Sequence, residues 1–499
     1  MRIAVLHVFA LLACSSIARA TGEAPISLGD RRELFVDSFL IDRMEAGAAL
    51  KLHAPRDAGT ALRFDKPWEG PWCMYSTVIK DGDTFRLYYR GMPKGSHYEG
   101  NESTCYAESS DGVTWTRPAL RLFAIHGAAE NNVILTERDS KAWTLAPFVD
   151  TRPGVDFKER LKAIACESIF DDQGKRAWAL IALASPDGVH WKRLREKPVV
   201  YNDLPKFGFD SQNVAFWSEA EQKYLLYGRS NLTKPRAVRA VSRWSSDNFL
   251  DWGPRTLMRN LHEGKPTDDE HLYINQTHPY FRAPHIYVAS PARLVMRQAL
   301  SPEQVAQIPG ADPKQAASVS DTALATSRGG DVYDRTFMES WIRPGTGPQN
   351  WLTRDNYAAN GIVQTGPAEM SVYVHEDYGL PSAHLRRYAM RLDGFASLNA
   401  PFKGGEMVSK PLTFTGRRLT LNYATSAVGE LRVEIQDAAG VPLPGFTLDD
   451  CMSIIGDEIE RAVSWKAGAD VAALVGKPVR LRFVMKDADV FAIRFAGRK

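Results

Sequence analysis

Acids, arginines and aromatic rings recur in this chain where local folding explains them poorly. Trp68, Glu69 and Trp72 stand together just ahead of an alternating apolar run. Asp210-Ser211-Gln212-Asn213 opens another run with four polar residues, poor material for a buried strand. Asp268-Asp269-Glu270 is followed by Tyr273, Asn275 and Gln276, and Arg354-Asp355-Asn356-Tyr357 precedes a further run. Arg90, Glu167, Arg229, Arg293 and the pair His375-Glu376 close such runs. These residue types suit a sugar. Carboxylates supply acid and base for glycosidic cleavage, indole faces stack on pyranose rings, and Asn, Gln and Arg bind hydroxyls or an acidic substituent. Asp210 is the first choice as a catalytic carboxylate. Glu69 is the second, because apolar neighbours raise a carboxyl pKa and make a general acid. Glu167 completes the catalytic set. Substrate contacts are expected from Trp72, Arg90, Gln212, Asn213, Arg229, Asp269, Tyr273, Asn275, Arg293, Asn356 and Tyr357. Arg90, Arg229 and Arg293 at equivalent positions hint at an anionic sugar. Each residue also has a plainer reading: an acid at a strand start commonly caps a turn, and a terminal arginine is commonly solvated or paired. Glu339 and Glu369 read as structural.

Residues so far apart need a scaffold that converges them, and a repeated turn supplies its signature. Ser109-Ser110-Asp111-Gly112-Val113-Thr114-Trp115 returns as Ser185-Pro186-Asp187-Gly188-Val189-His190-Trp191, and in worn form around Gly330, Asn248 and Gly394. Asp-Gly tolerates φ > 0 and makes a tight turn between strands. The aromatic recurs at Trp115, Trp191, Trp252, Tyr333 and Phe395, which marks five related units. Each unit is long enough for a four-stranded sheet with one long loop. This predicts an all-β chain, a five-bladed β-propeller over 21–400, followed by a β-sandwich over 401–499. In a propeller the inner-strand starts and the long loops after the second strands crowd one end of the axis. The polar residues above fall at those places. A short strand before the first unit, Glu33–Asp42 or Ala49–His53, could close the ring. Leu300–Ser318 reads as an insert with a short helix.

Composition excludes some partners. Residues 1–20 read as an export signal, with Ala18-Arg19-Ala20 as the cleavage site. Leu11-Leu12-Ala13-Cys14 offers a competing lipoprotein reading, with Cys14 lipid-anchored in the periplasm or at the surface. Without residues 1–20 the chain carries 60 basic against 59 acidic residues, which argues against nucleic acid or a membrane surface. No later apolar run reaches membrane-spanning length. Cys73, Cys105, Cys166 and Cys451 are too scattered for a metal cluster. Cys73 and Cys105 could pair or stay as buried thiols. His262, His271, His278 and His285 fit no zinc spacing, and no nucleotide or nucleophile-elbow motif is present. No cofactor is expected; a structural Ca²⁺ on the axis is compatible with the sequence.

Leu34-Phe35-Val36-Asp37, the Asp-Gly-x-x-Trp turns, Phe209-Asp210-Ser211-Gln212-Asn213 and Thr365-Gly366-Pro367-Ala368-Glu369-Met370-Ser371 resemble exported bacterial five-bladed propeller glycosidases grouped with glycoside hydrolase families 32 and 43. The resemblance covers nearly the whole chain. It implies a funnel in which an acid, a base or nucleophile, and a pKa-setting carboxylate come from different blades. The Asn-Asp-Pro-Asn and Arg-Asp-Pro motifs of family 32 do not occur here. The expectation is an exported glycoside hydrolase. The alternatives are a propeller that binds sugar without cleaving it and a surface interaction protein.

Overall fold

A computed structural model describes residues 24–93, 102–125, 127–170, 174, 176–201, 208–232 and 237–497. The export signal, Cys14 and most of the Gly91–Gly100 loop lie outside these residues. Among the described residues no helix is long and apolar enough to cross a membrane.

The chain is nearly all β. Its middle forms five sheets of four to six strands, most of them up-and-down meanders. The first sheet runs Met74–Asp81, Thr84–Gly91, Ser103–Ser109 and Val133–Thr136. The second starts at Trp143–Val149 and the third at Val214–Ser218. The fourth starts at His278–Tyr280 and is extended by a small separate sheet containing Ala292–Val295 and Val319–Thr322. The fifth starts at Tyr357–Ala358 and Val363–Gln364. The innermost strands of the first four sheets touch in order, the Gln276 amide donates to the Ala358 carbonyl of the fifth, and a parallel bridge between Thr77 and Asn360 joins the fifth sheet back to the first. This ring of sheets is a β-propeller. Its axis is closed by hydrogen bonds across the shaft. The Gln212 amide donates to Thr77 Oγ1 at 2.8 Å, and the Gln276 amide donates to Gln212 Oε1 at 2.7 Å. Gly361, at φ +99°, is required at the closing joint, where a Cβ would overlap the Val78 carbonyl oxygen.

The repeated turns glue sheets together. Asp111 Oδ1 accepts from the Val113 and Thr114 N–H groups at 2.7 and 2.8 Å, and Asp187 repeats the pattern at 2.9 Å to Val189 and His190. The following tryptophan is wedged against another sheet: Trp115 meets Tyr373 and Trp191 meets Tyr88, both edge-on. Gly188 lies so close to that neighbour that an added Cβ would sit 2.5 Å from Tyr88 Oη.

Neither Glu33–Asp42 nor Ala49–His53 closes the ring. Arg56–Arg63 does, pairing antiparallel with His384–Arg391. The four strands before it, from Ile26 to Leu52, join the C-terminal ten-stranded sheet instead. That sheet folds on itself as the sandwich because Arg418–Asp437 and Val479–Ala496 are long and kinked at register shifts. The chain therefore enters and leaves through the sandwich, and 24–52 do not belong to the propeller. The insert carries the helix Pro302–Ala306. All four described cysteines are buried free thiols, so Cys73 and Cys105 do not pair.

Candidate functional site at the head of the axis

Irregular backbone accumulates where the innermost strands begin. Each of the five sheets places a non-glycine residue in the left-handed region there: Tyr75 (φ 59°), Thr144 (53°), Phe209 (63°), Gln276 (52°) and Asn356 (60°). Such conformations cost on the order of 1–3 kcal/mol each and concentrate at functional sites. Register shifts between Met74 and Thr77 and between Trp143 and Ala146 add two bulges, which re-aim side chains at a rim.

These irregularities turn aromatic rings and guanidiniums toward one another. Tyr75, Tyr273, Tyr357 and Tyr378 form a cluster with Met74, Ile274 and the half-buried Trp72. The Tyr75 and Tyr273 hydroxyls meet at 3.0 Å, and Trp72 sits edge-on to Tyr378. Burial, and then the Tyr273 hydroxyl, push the Tyr75 phenol well above its ordinary range. Arg90 stacks over Tyr75 at 4.6 Å, while Arg229 and Arg239 approach Tyr273 at 5.0 and 5.2 Å. Arg354, exposed at the mouth, lies within electrostatic range of all four tyrosines.

Two carboxylates share this region. Asp210 is 29% exposed and accepts from Arg229 Nη1 at 3.2 Å; the same nitrogen bonds the Asp210 carbonyl at 2.7 Å. Tyr273 donates to that carbonyl as well, at 3.2 Å. Glu102, just ahead of the third strand of the first sheet, accepts from the left-handed Thr144 at 3.1 Å. Between the two lies Cys166, whose thiol is pushed well up by burial and then by Glu102 and Asp210. It is a buried spacer, not a nucleophile.

The predicted residues divide. Asp210, Trp72, Arg90, Arg229, Tyr273 and Tyr357 lie in this cluster. Asp269 lines an adjoining crevice of about 200 Å³ with Arg239. The other two predicted catalytic acids are engaged elsewhere. Glu69 is 0% exposed and is gripped by Arg117 at 2.6 and 3.0 Å and by the Tyr89 hydroxyl at 2.5 Å. Its surroundings are ionic, not the apolar pocket expected from Trp68 and Trp72, because Trp68 turns its indole N–H to Asn132. Glu167 is bound by Arg193 at 2.5 Å. Among the described residues Glu69, Glu167 and Asp210 share no hydrogen-bond or ion-pair partner. Gln212 belongs to the shaft. Asn213 ties the 209–211 turn and accepts from the Arg229 N–H at 3.1 Å. Asn275 and Asn356 spend their amides on backbone carbonyls. Arg293 is clamped by Asp321 at 2.6 and 2.9 Å. All five have supporting hydrogen bonds within the fold.

Sequence reasoning missed Glu102, Arg239, Tyr75 and Tyr378, and it named Arg354 without giving it a role. A signal existed for the first two. Glu102 and Arg239 hold equivalent positions at the start of a third strand, where the long loop returns to the axis. Among the described residues no group of three or more His, Cys, Asp or Glu could hold a metal ion.

No family model matches the chain, and no curated protein matches it. Solved structures do. A glycoside hydrolase is similar at 12% identity and TM-score 0.45, over 68% of this chain and 92% of its own. An N-acetylgalactosamine deacetylase from F. plautii, in complex with blood group B trisaccharide, is similar at 12% identity and TM-score 0.44, over 69% and 96%. A fructofuranosidase from Schwanniomyces occidentalis, complexed with fructosylnystose, is similar at 9% identity and TM-score 0.39, over 90% and 100%.

Proposed function

We propose that the chain is an exported carbohydrate-active protein that hydrolyses a glycosidic bond at the head of its axis, with Asp210 and Glu102 as the working carboxylates. The observation that carries this reading is Asp210: its carboxylate is the most open to solvent of the three predicted catalytic acids. Pairing with Arg229 fits a group that works as the anion, as base or nucleophile. Glu102, more deeply buried than Asp210, is the second carboxylate of the region and takes the other role, proton transfer to the leaving oxygen. Trp72 and the tyrosine rings supply faces for pyranose stacking. The test is release of reducing ends from a polysaccharide panel. Asp210→Asn and Glu102→Gln should each lower turnover at least about 100-fold; cleavage at the wild-type rate by both variants refutes the assignment.

A second reading, sugar binding without cleavage, is favoured by the locking of Glu69 and Glu167 in ion pairs. Saccharide binding heat with no product from the wild type would establish it. Export is tested separately by the mature N-terminus: Thr21 indicates cleavage after Ala20, and a lipid-modified Cys14 indicates the anchored form.

A further inference from the structure

Among the described residues, the four guanidiniums at the head of the axis outnumber the acids. Asp210 answers Arg229. Arg90 is only 2% exposed, yet only one of its three nitrogens is used: Nη2 donates to the Trp72 carbonyl at 2.9 Å and to Tyr378 Oη at 3.1 Å. Its Nε and Nη1 are buried and have no acceptor, and the same holds for Nε of Arg229 and of Arg239. Glu102 lies within electrostatic range of Arg90. Arg239 has like-charged neighbours in Arg229 and Arg354; burial, then Arg229, hold it below the ordinary arginine range. A buried donor without an acceptor costs about 1–3 kcal/mol, more when charged. Tyrosine faces soften that cost but add no negative charge.

We propose that this cluster receives an oxyanion carried on a sugar, the carboxylate of a uronic acid or a sulfate ester, with Arg90, Arg239 and Arg354 as the receiving groups. The inference rests on the saccharide reading above and names its substrate class. An oxyanion beside Arg239 and Arg354 relieves in one step the repulsion that Arg229 and Arg354 exert on Arg239. Planar forked donors suit either anion. The adjacent rings hold the sugar that carries it.

The test is calorimetric titration of the full chain. The probes are oligosaccharide pools from polygalacturonate, alginate and chondroitin sulfate, their carboxyl-reduced or desulfated counterparts, and inorganic sulfate alone. At least one acidic pool should bind, its neutral counterpart at least about ten-fold more weakly. The affinity should fall with added salt. Arg239→Gln and Arg354→Gln, both at the open side of the cluster, should each weaken binding about ten-fold without unfolding the chain. Preference for the uronate or the sulfated pool distinguishes the two anions. Equal affinity for neutral counterparts, no heat with any acidic pool, unchanged binding by both variants, or inorganic sulfate binding as tightly as the best pool overturns the proposal. Binding of an acidic pool without release of reducing ends removes the hydrolase reading and leaves this one standing. Cleavage of neutral pools at the acidic rate does the reverse.

Discussion

The seam between propeller and sandwich and the head of the axis use the same residue types in different proportion. At the seam, Asp393 is fully buried and accepts from Tyr280 at 2.7 Å, Asn422 at 2.8 Å, Arg282 at 3.0 Å and Arg32 at 3.4 Å. Arg32 also holds Glu460 at 2.8 Å. Nearby, Arg328 spans Glu33 and Asp37, each at 2.8 Å, and Glu33 takes His285 at 2.9 Å. Each of these guanidiniums meets a carboxylate. At the axis, among the described residues, four arginines face two acids and buried N–H groups have no acceptor. The seam therefore reads as stability, whereas the head of the axis carries positive charge that the described residues do not balance.

The contrast can be broken most forcefully at Asp393. Asp393→Ala strands Arg32 and Arg282 without their buried acid and should lower unfolding free energy by about 3–5 kcal/mol in urea titration. A change under about 1 kcal/mol would remove the distinction. Glu33 gives the next largest effect. Burial alone would raise its pKa, but His285 and Arg328 overcome that and bring it down to about 2. The carboxylate thus stabilises the fold above the unfolded value near 4.5. That contribution, about 3 kcal/mol, is lost as pH falls from there through 2. Glu33→Gln should be less stable at neutral pH, and the gap should close in acid; a gap independent of pH contradicts the pairing. At the axis the expectation reverses. Asp210→Asn should lose activity while its unfolding midpoint moves by less than about 1 kcal/mol equivalent. Smallest of all, Arg354→Ala should change stability by no more than about 0.5 kcal/mol, because it gives up no ion pair among the described residues. A loss above 1 kcal/mol would make it structural.

Much of the scaffold was legible because its cues are local. The Asp111 and Asp187 turns need only Ser, Asp and Gly at fixed offsets, and alternation marks the strands around them. The N-terminal strands misled because Glu33–Asp42 and Ala49–His53 carry only an edge-strand pattern. Pairing partners several hundred residues away, such as Val479–Ala496 and Ala396–Ala400, leave no trace in that pattern. The site was half legible for the same reason. Asp210 stood out because four polar residues precede a buried strand. Glu69 looked alike, since its partner Arg117 lies 48 residues on and only the folded first sheet brings it back.

The order of residues by itself determined an all-β chain of repeated hairpins with polar residues at the strand starts. Only the tertiary structure decided which of those residues were spent on one another and which were left over. Charge is cancelled through space, so a carboxylate and an arginine far apart in the chain become an inert pair or an open site according to what the closed ring sets beside them.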